Sequence, residues 1–201
     1  MAKRAFDLLL SLMGFILLSP LLLLLALWVR LDSRGPVLYR GQRVGKGGRT
    51  FDMYKFRTMV LEADRLGPAV SYKDDPRITK AGKFLRRTKL DELPQLLNVL
   101  KGEMSLVGPR PEDPSYVDLY TPEQRRVLSV KPGITGPTQL RYRDEASMLD
   151  GESVDDDYVS RIMPEKLKLD LVYVHNRSLL LDLKILWRTI ATLLVRNEGV
   201  P

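Results

Sequence analysis

An apolar run near the start of the chain constrains everything that follows it. From Ala5 to Val29 there are 12 leucines in 25 residues. As one straight helix the run measures about 37 Å, enough to cross a hydrocarbon core of about 30 Å. Three details argue against a simple crossing. Ser19-Pro20 lies inside the run, where the missing proline N–H and the clash with the carbonyl of Ile16 kink or break a helix. The pieces on either side, 5–18 and 21–29, reach only roughly 21 and 14 Å. Lys3 and Arg4 precede the run and Arg30 and Arg34 follow it, so the positive-inside rule keeps both ends on the cytoplasmic side. A re-entrant helix-break-helix over 1–34 satisfies all three, with the Ser19 hydroxyl satisfying a carbonyl that Pro20 frees. The alternatives are a spanning helix and a cleaved signal segment. The run exceeds a signal core of about 7–15 residues and has no A-x-A-like cleavage site.

Composition narrows the chemistry. With 201 residues the chain holds one domain, or one with a small appendage. It has 32 Lys and Arg against 25 Asp and Glu, a net charge of +7, and such a surface calls for an anionic partner: phosphate, nucleic acid or lipid head groups. There is no cysteine and one histidine, His175. Disulfides, thiolate metal sites, a cysteine nucleophile and a two-histidine metal site are excluded, leaving carboxylates, Lys, Arg, Tyr and hydroxyls.

After the turn cluster Asp32 to Pro36, segments 37–44 and 49–58 flank Gly45-Lys46-Gly47-Gly48 and predict a β-hairpin. The period of two puts Lys55 and Arg57 on one face, aimed at one ligand or forming a solvated edge. The glycine turn lacks the spacing of a phosphate loop. Arg77 to Leu90 carries six basic residues, Arg86 among them, and no acid. Asp91-Glu92 follows at a helix entry, with Pro94 in the first turn and Gly102 as C-cap. These carboxylates either cap the helix or react. Cations and a helix N-terminus should depress their pKa values, and an ionised aspartate attacks phosphorus where cations neutralise the phosphate.

Segments 105–112 and 131–139 read as rigid proline-glycine loops, offering Arg110, Arg141 and Arg143 as diphosphate clamps. The seven acids from Asp144 to Asp157 read as a solvated or mobile loop, and Asp155-Asp156-Asp157 lacks the pattern of a calcium loop. From 178 to 195 an apolar helix carries Asp182, Lys184 and Arg188, which favour an interfacial or core-packed helix over a spanning one. Trp187 suits either the head-group level or the core. The fold class expected is α+β, mainly α, with amphipathic helices and a short hairpin on the membrane surface.

The ordered set Ser19-Pro20, Tyr54-Lys55-Phe56-Arg57-Thr58-Met59, Leu90-Asp91-Glu92-Leu93-Pro94-Gln95, Gly108-Pro109-Arg110-Pro111 and Lys131 to Gly136 resembles the bacterial sugar transferase family, monotopic polyprenyl-phosphate phosphoglycosyl transferases. The chain looks like a minimal catalytic-domain member: 1–34 as membrane helix, 35–201 as cytoplasmic catalytic domain at a bacterial inner membrane. The resemblance implies that Asp91 attacks the sugar-bearing phosphate of a UDP-sugar, releasing UMP and leaving a phosphosugar-aspartyl intermediate that polyprenyl phosphate then attacks. It implies that Glu92 assists, that Mg2+ binds near Asp91 and the phosphates, and that Lys55, Arg57, Arg86, Arg110 and Arg143 hold phosphates or nucleotide. Pro137-Thr138 departs from the aromatic and small residues that family members often carry there. The rival from another class is a membrane-anchored basic module for nucleic acid or acidic polymer. Arg77 to Leu90 offers it only Phe84 for stacking, so no nucleic-acid partner is expected. Self-association and the sugar are left open.

Overall fold

The computed structural model describes residues 2–68, 70–149 and 154–194. Two helices, α1 (Ala2–Leu17) and α2 (Ser19–Asp32), precede an antiparallel hairpin of β1 (Leu38–Val44) and β2 (Thr50–Phe56). The hairpin lies where alternation predicted it. Its connection is a plain turn, with Gly45 N–H donating to Arg49 O at 2.8 Å and Gly47 and Gly48 at positive φ. Helix α3 (Lys80–Thr88) is capped by Thr79, whose hydroxyl accepts from Gly82 N–H at 3.0 Å. It ends in a left-handed Lys89, φ 59°, which turns the chain into a 3-10 turn at Leu90–Gln95 and then α4 (Leu96–Lys101). Gly102, φ 89°, closes α4 as expected.

Next come β3 (Ser105–Val107), α5 (Pro114–Val117), β4 (Gly133–Thr135) and α6 (Pro137–Arg141). After them come α7 (Val154–Asp157), a π-type turn at Tyr158–Ile162, α8 (Met163–Asn176) and α9 (Leu179–Leu194). The fold is mainly helical α+β. The starts of the two proline-glycine segments are not free loops as expected: β3 and β4 pair in parallel. Glycine makes this closeness possible, since a Cβ on Gly133 would lie 2.1 Å from the Gly108 nitrogen.

Helical bonding runs through the α1–α2 junction, with Leu18 N–H on Gly14 O at 2.9 Å and Leu22 N–H on Leu18 O at 2.8 Å. Pro20 leaves the Ile16 carbonyl without its donor, and the Ser19 hydroxyl bonds that carbonyl at 2.7 Å. The helix is therefore interrupted only at Leu18, and the acceptor that Pro20 frees is satisfied. The two halves rest on different supports, α1 on α4 and β3, and α2 on α3. By length and composition the helix over Ala2–Asp32 could cross a membrane.

The second half, α2, buries Leu25 and Val29 in the usual way, whereas α1 inverts the pattern. On α1 the buried residues are Asp7 and Ser11, while Leu9, Ile16 and Leu17 are exposed. Asp7 accepts from Ser105 Oγ at 2.8 Å and from Leu106 N–H at 3.3 Å. Arg4 donates to the last carbonyls of α4, Val99 at 2.6 Å and Leu100 at 3.1 Å, and Lys3 pairs with Asp182 at 2.6 Å. On α9 Asp182 is buried under the Tyr173 hydroxyl, 2.7 Å away, while Leu180 and Trp187 are 78% and 71% exposed. Of the two settings expected for Trp187, the core is ruled out. Asp7 and Asp182 are satisfied inside, the Ser11 hydroxyl is buried without a partner among the described residues, and the leucines outside suit a lipid-facing surface.

The largest core cluster gathers Tyr116, Leu149, Tyr158 and Leu167. It also corrects the reading of 144–157 as a solvated or mobile loop. Leu149 and Val154 are buried, Glu145 pairs with Lys166 at 3.0 Å, and Asp155 accepts from the Tyr116 hydroxyl at 2.5 Å. Residues 150–153 lie outside the described residues.

Candidate active site

Four elements bring charge to one place. The 3-10 turn presents Asp91 and Glu92, β2 presents Lys55, α3 presents Arg86 and the segment after β3 presents Arg110. Lys55 Nζ lies 2.9 Å from Glu92 Oε1, and Arg110 Nη1 lies 3.7 Å from the same oxygen. Arg86 is held from behind, donating to Thr58 Oγ1 at 2.9 Å and Ser71 Oγ at 2.6 Å. Asp91 is 6% exposed, and its Oδ1 has no hydrogen-bond partner among the described residues. The carboxylate makes no side-chain cap bond, although it lies in the first turn of the 3-10 helix.

The two adjacent carboxylates differ electrostatically. Glu92 is desolvated, but Lys55 and Arg110 outweigh that and hold its carboxyl down at about 2. For Asp91 burial is the largest influence and raises the pKa; Glu92 also raises it, against the pull of Lys55, Arg86 and Lys89. The expectation that cations depress both is corrected for Asp91. Lys89 belongs to this field, and its own pKa is lowered, chiefly by burial. It was not among the expected binding residues, although its place at the end of the basic run beside Asp91 could have marked it.

Two expected cations are elsewhere. Arg57 follows the end of β2 and spends its guanidinium on the C-terminal end of α2, donating to Pro36 O at 2.5 Å, Ser33 O at 2.7 Å and Ser33 Oγ at 2.9 Å. Lys55 and Arg57 therefore do not converge, because the strand ends between them at Phe56. Arg143 donates to Thr192 O on α9 at 2.5 Å. Within the basic run Arg77 is buried against Asp75 at 2.7 Å.

Beneath Arg110 lies a buried polar group the sequence did not reveal. Glu112 accepts from the Tyr158 hydroxyl and lies 3.6 Å from Lys166 Nζ, which donates to Tyr158 at 2.7 Å and Glu145 at 3.0 Å. Asp170 accepts from Thr138 Oγ1 and from Arg110 N–H at 3.3 Å. These residues are spread over more than fifty positions, so no spacing signal marks them.

No group of three or more His, Asp or Glu able to hold a metal is present among the described residues. A hard ion at Asp91 Oδ1 would thus draw most of its oxygens from substrate phosphates or water. A buried, unpartnered carboxylate oxygen in the field of three cations, on a body with an apolar outer face, is an arrangement suited to an anionic substrate such as a phosphate at a membrane surface.

The comparisons agree with that reading. Residues 1–196 match the bacterial sugar transferase family, and the chain belongs to it. It is 41% identical over 197 residues to the UDP-N-acetylgalactosamine-undecaprenyl-phosphate N-acetylgalactosaminephosphotransferase of Aeromonas hydrophila, covering 96% of this chain and 43% of that protein. It is 40% identical over 200 residues to the UDP-glucose:undecaprenyl-phosphate glucose-1-phosphate transferase of Caulobacter vibrioides, covering 98% and 71%. It is 40% identical over 205 residues to the exopolysaccharide production protein PSS of Rhizobium leguminosarum bv. phaseoli, covering 98% and 97%. The chain thus spans less than half of the first of these relatives and nearly all of the last.

Proposed function

We propose that this chain transfers a sugar-1-phosphate from a UDP-sugar to undecaprenyl phosphate, releasing UMP and starting the assembly of an exopolysaccharide on its lipid carrier. The observation that carries the reading is the free Asp91 Oδ1 set among Lys55, Arg86 and Lys89. That oxygen attacks the sugar-bearing phosphorus, the bond from that phosphorus to the bridging oxygen breaks, and the electron pair leaves with UMP. An oxygen of the acceptor phosphate then attacks the same phosphorus and restores the Asp91 carboxylate. Lys55, Arg86 and Arg110 oppose the charge that builds on the phosphoryl oxygens.

Glu92 keeps Lys55 and Arg110 in place before substrate arrives. Held at about 2, its carboxyl is a weak base in that state. Once phosphate draws the two cations away its pKa rises and it can take a proton from the acceptor. Mg2+ fits at Asp91 Oδ1, shared with the donor diphosphate, where it would neutralise phosphate charge. The apolar outer faces of α1, α2 and α9 support a re-entrant placement, with the body on the cytoplasmic side where UDP-sugars are made.

The test is to incubate the purified protein with a panel of UDP-sugars. With undecaprenyl phosphate, one donor should give continuous UMP release. Without acceptor, the same donor should give one UMP per active site, with the sugar phosphate left on the protein. EDTA should stop turnover and Mg2+ restore it. Release of UDP, or no burst without acceptor, defeats the aspartyl route, and full activity in chelator removes the metal from it.

A further inference from the structure

Among the described residues Arg110 is anchored by hydrogen bonds of its backbone segment, while Glu112 and Glu145 act on its guanidinium through their charge. Its guanidinium reaches Glu92 only at 3.7 Å, across the site. Behind it, Gly133 N–H donates to Pro109 O at 2.8 Å and Gly108 N–H to Thr135 O at 3.0 Å, and the N–H of Arg110 itself donates to Asp170 Oδ2 at 3.3 Å. The other oxygen of Asp170 accepts from Thr138, a fully buried hydroxyl at the start of α6. One carboxylate on α8 therefore ties the Gly108–Arg110 segment to the segment after β4. One turn earlier on the same helix, Lys166 sits beside Glu112, so α8 grips the chain at Arg110 and again two residues later.

This carboxylate is expensive to keep. Asp170 is 4% exposed, and burial pushes its carboxyl up to about 7 despite the bonds from Thr138 and Arg110. An apolar residue would avoid the desolvation cost at that position. We infer that Asp170 is a positioning residue that, with Thr138, fixes Arg110 toward the donor diphosphate across from Asp91. The inference rests on the proposed function, because the diphosphate is what Arg110 is positioned to meet.

The experiment is a double-mutant cycle read as kcat and KM for the UDP-sugar, normalised to correctly folded protein by its thermal transition. Asp170→Ala should raise KM and lower kcat/KM by about tenfold, the effect of losing one good bond to a charged group. Asp170→Asn should retain most activity, since its oxygen can accept from Arg110 N–H while its amide donates to Thr138. In an Arg110→Gln background, Asp170→Ala should cost no more than about twofold, because the residue it positions is already gone. If Asp170→Ala does not fold, the same cycle is run with Thr138→Val.

Additive losses in the two backgrounds, or equal losses for Asn and Ala, overturn the inference and leave a purely structural role for Asp170. Absence of UMP release by the unmodified protein with every UDP-sugar instead overturns the proposed function, so the two failures are distinguishable.

Discussion

Asp7 and Asp91 are both nearly buried carboxylates, at 3% and 6% exposure, yet they are treated in opposite ways. Asp7, inside the leucine run, accepts from Ser105 Oγ and Leu106 N–H, with Lys3 at 3.8 Å. Asp91 faces cations, and its Oδ1 is bonded to nothing among the described residues. A satisfied buried carboxylate fastens one element to another. An unsatisfied one keeps lone pairs available at a cost in stability, and at Asp91, unlike at the equally unpartnered Ser11 hydroxyl, it does so among cations. The first joins the membrane-type helix to β3; the second is the proposed nucleophile.

The sharpest way to break this contrast is to neutralise Asp91. Asp91→Asn should lower steady-state UMP release by at least about a thousandfold, since the amide keeps the shape and loses the nucleophile. Its thermal transition should stay the same or rise. A carboxyl whose folded pKa is raised contributes stability below its unfolded pKa and loses it as pH climbs through the folded value, so at pH 7 the ionised group works against the fold. Strong destabilisation by this substitution would show that Asp91 is structural, like Asp7.

Replacing Ser19 and Pro20 together by Leu should restore a continuous helix long enough to span. A cysteine at position 3 should then be labelled by an impermeant thiol reagent from the outer side of spheroplasts, and remain protected with Ser19-Pro20 intact. The chain has no native cysteine to confuse the readout. Labelling with the motif intact would show that the apolar run spans.

Asp7→Ala should do what Asp91→Asn does not. Two buried donors lose their acceptor, at about 1–3 kcal/mol each, and the thermal transition should drop by about 4–24 °C. Activity per folded molecule should change far less than in Asp91→Asn. A loss of chemistry at full stability would erase the distinction between the two aspartates.

The smallest effect is in pH. The acid limb of the kcat/KM profile, which reports the free enzyme, should lie above the usual aspartate value of about 3.9, because Asp91 is raised and must be ionised to attack. Glu92 acts in the other direction: its lowered carboxyl contributes stability above its unfolded pKa, lost as pH falls toward about 2. An acid limb below the usual aspartate value would show that the surrounding cations outweigh burial at Asp91.

Much of the site was legible in the chain because its signals are local. Alternation and a glycine turn predicted the hairpin, and Pro94 and Gly102 bracketed the helix after Asp91-Glu92. The density of cations around that pair marked it as a site for anions. Lys55, Arg86 and Arg110 were found because each sits in a short dense segment that the fold brings to Asp91 and Glu92. Arg57 was misplaced because the strand's alternation ends at Phe56, one residue before it, and only the fold puts carbonyls of the α2 end within its reach. Asp7 was passed over because an isolated charge in a leucine run carries no periodic signal.

Local covalent geometry and residue spacing therefore marked the interruption at Ser19-Pro20, the hairpin and the carboxylate pair among its cations. Tertiary structure alone decided which carboxylate is left unpaired, which cations meet it, and that α1 and α9 turn their polar groups inward. Burial and charge–charge distance are properties of segments far apart in sequence. The raised pKa of Asp91 and the support Asp170 gives to Arg110, sixty residues away, exist only once α8, β3 and the 90–95 turn are packed together.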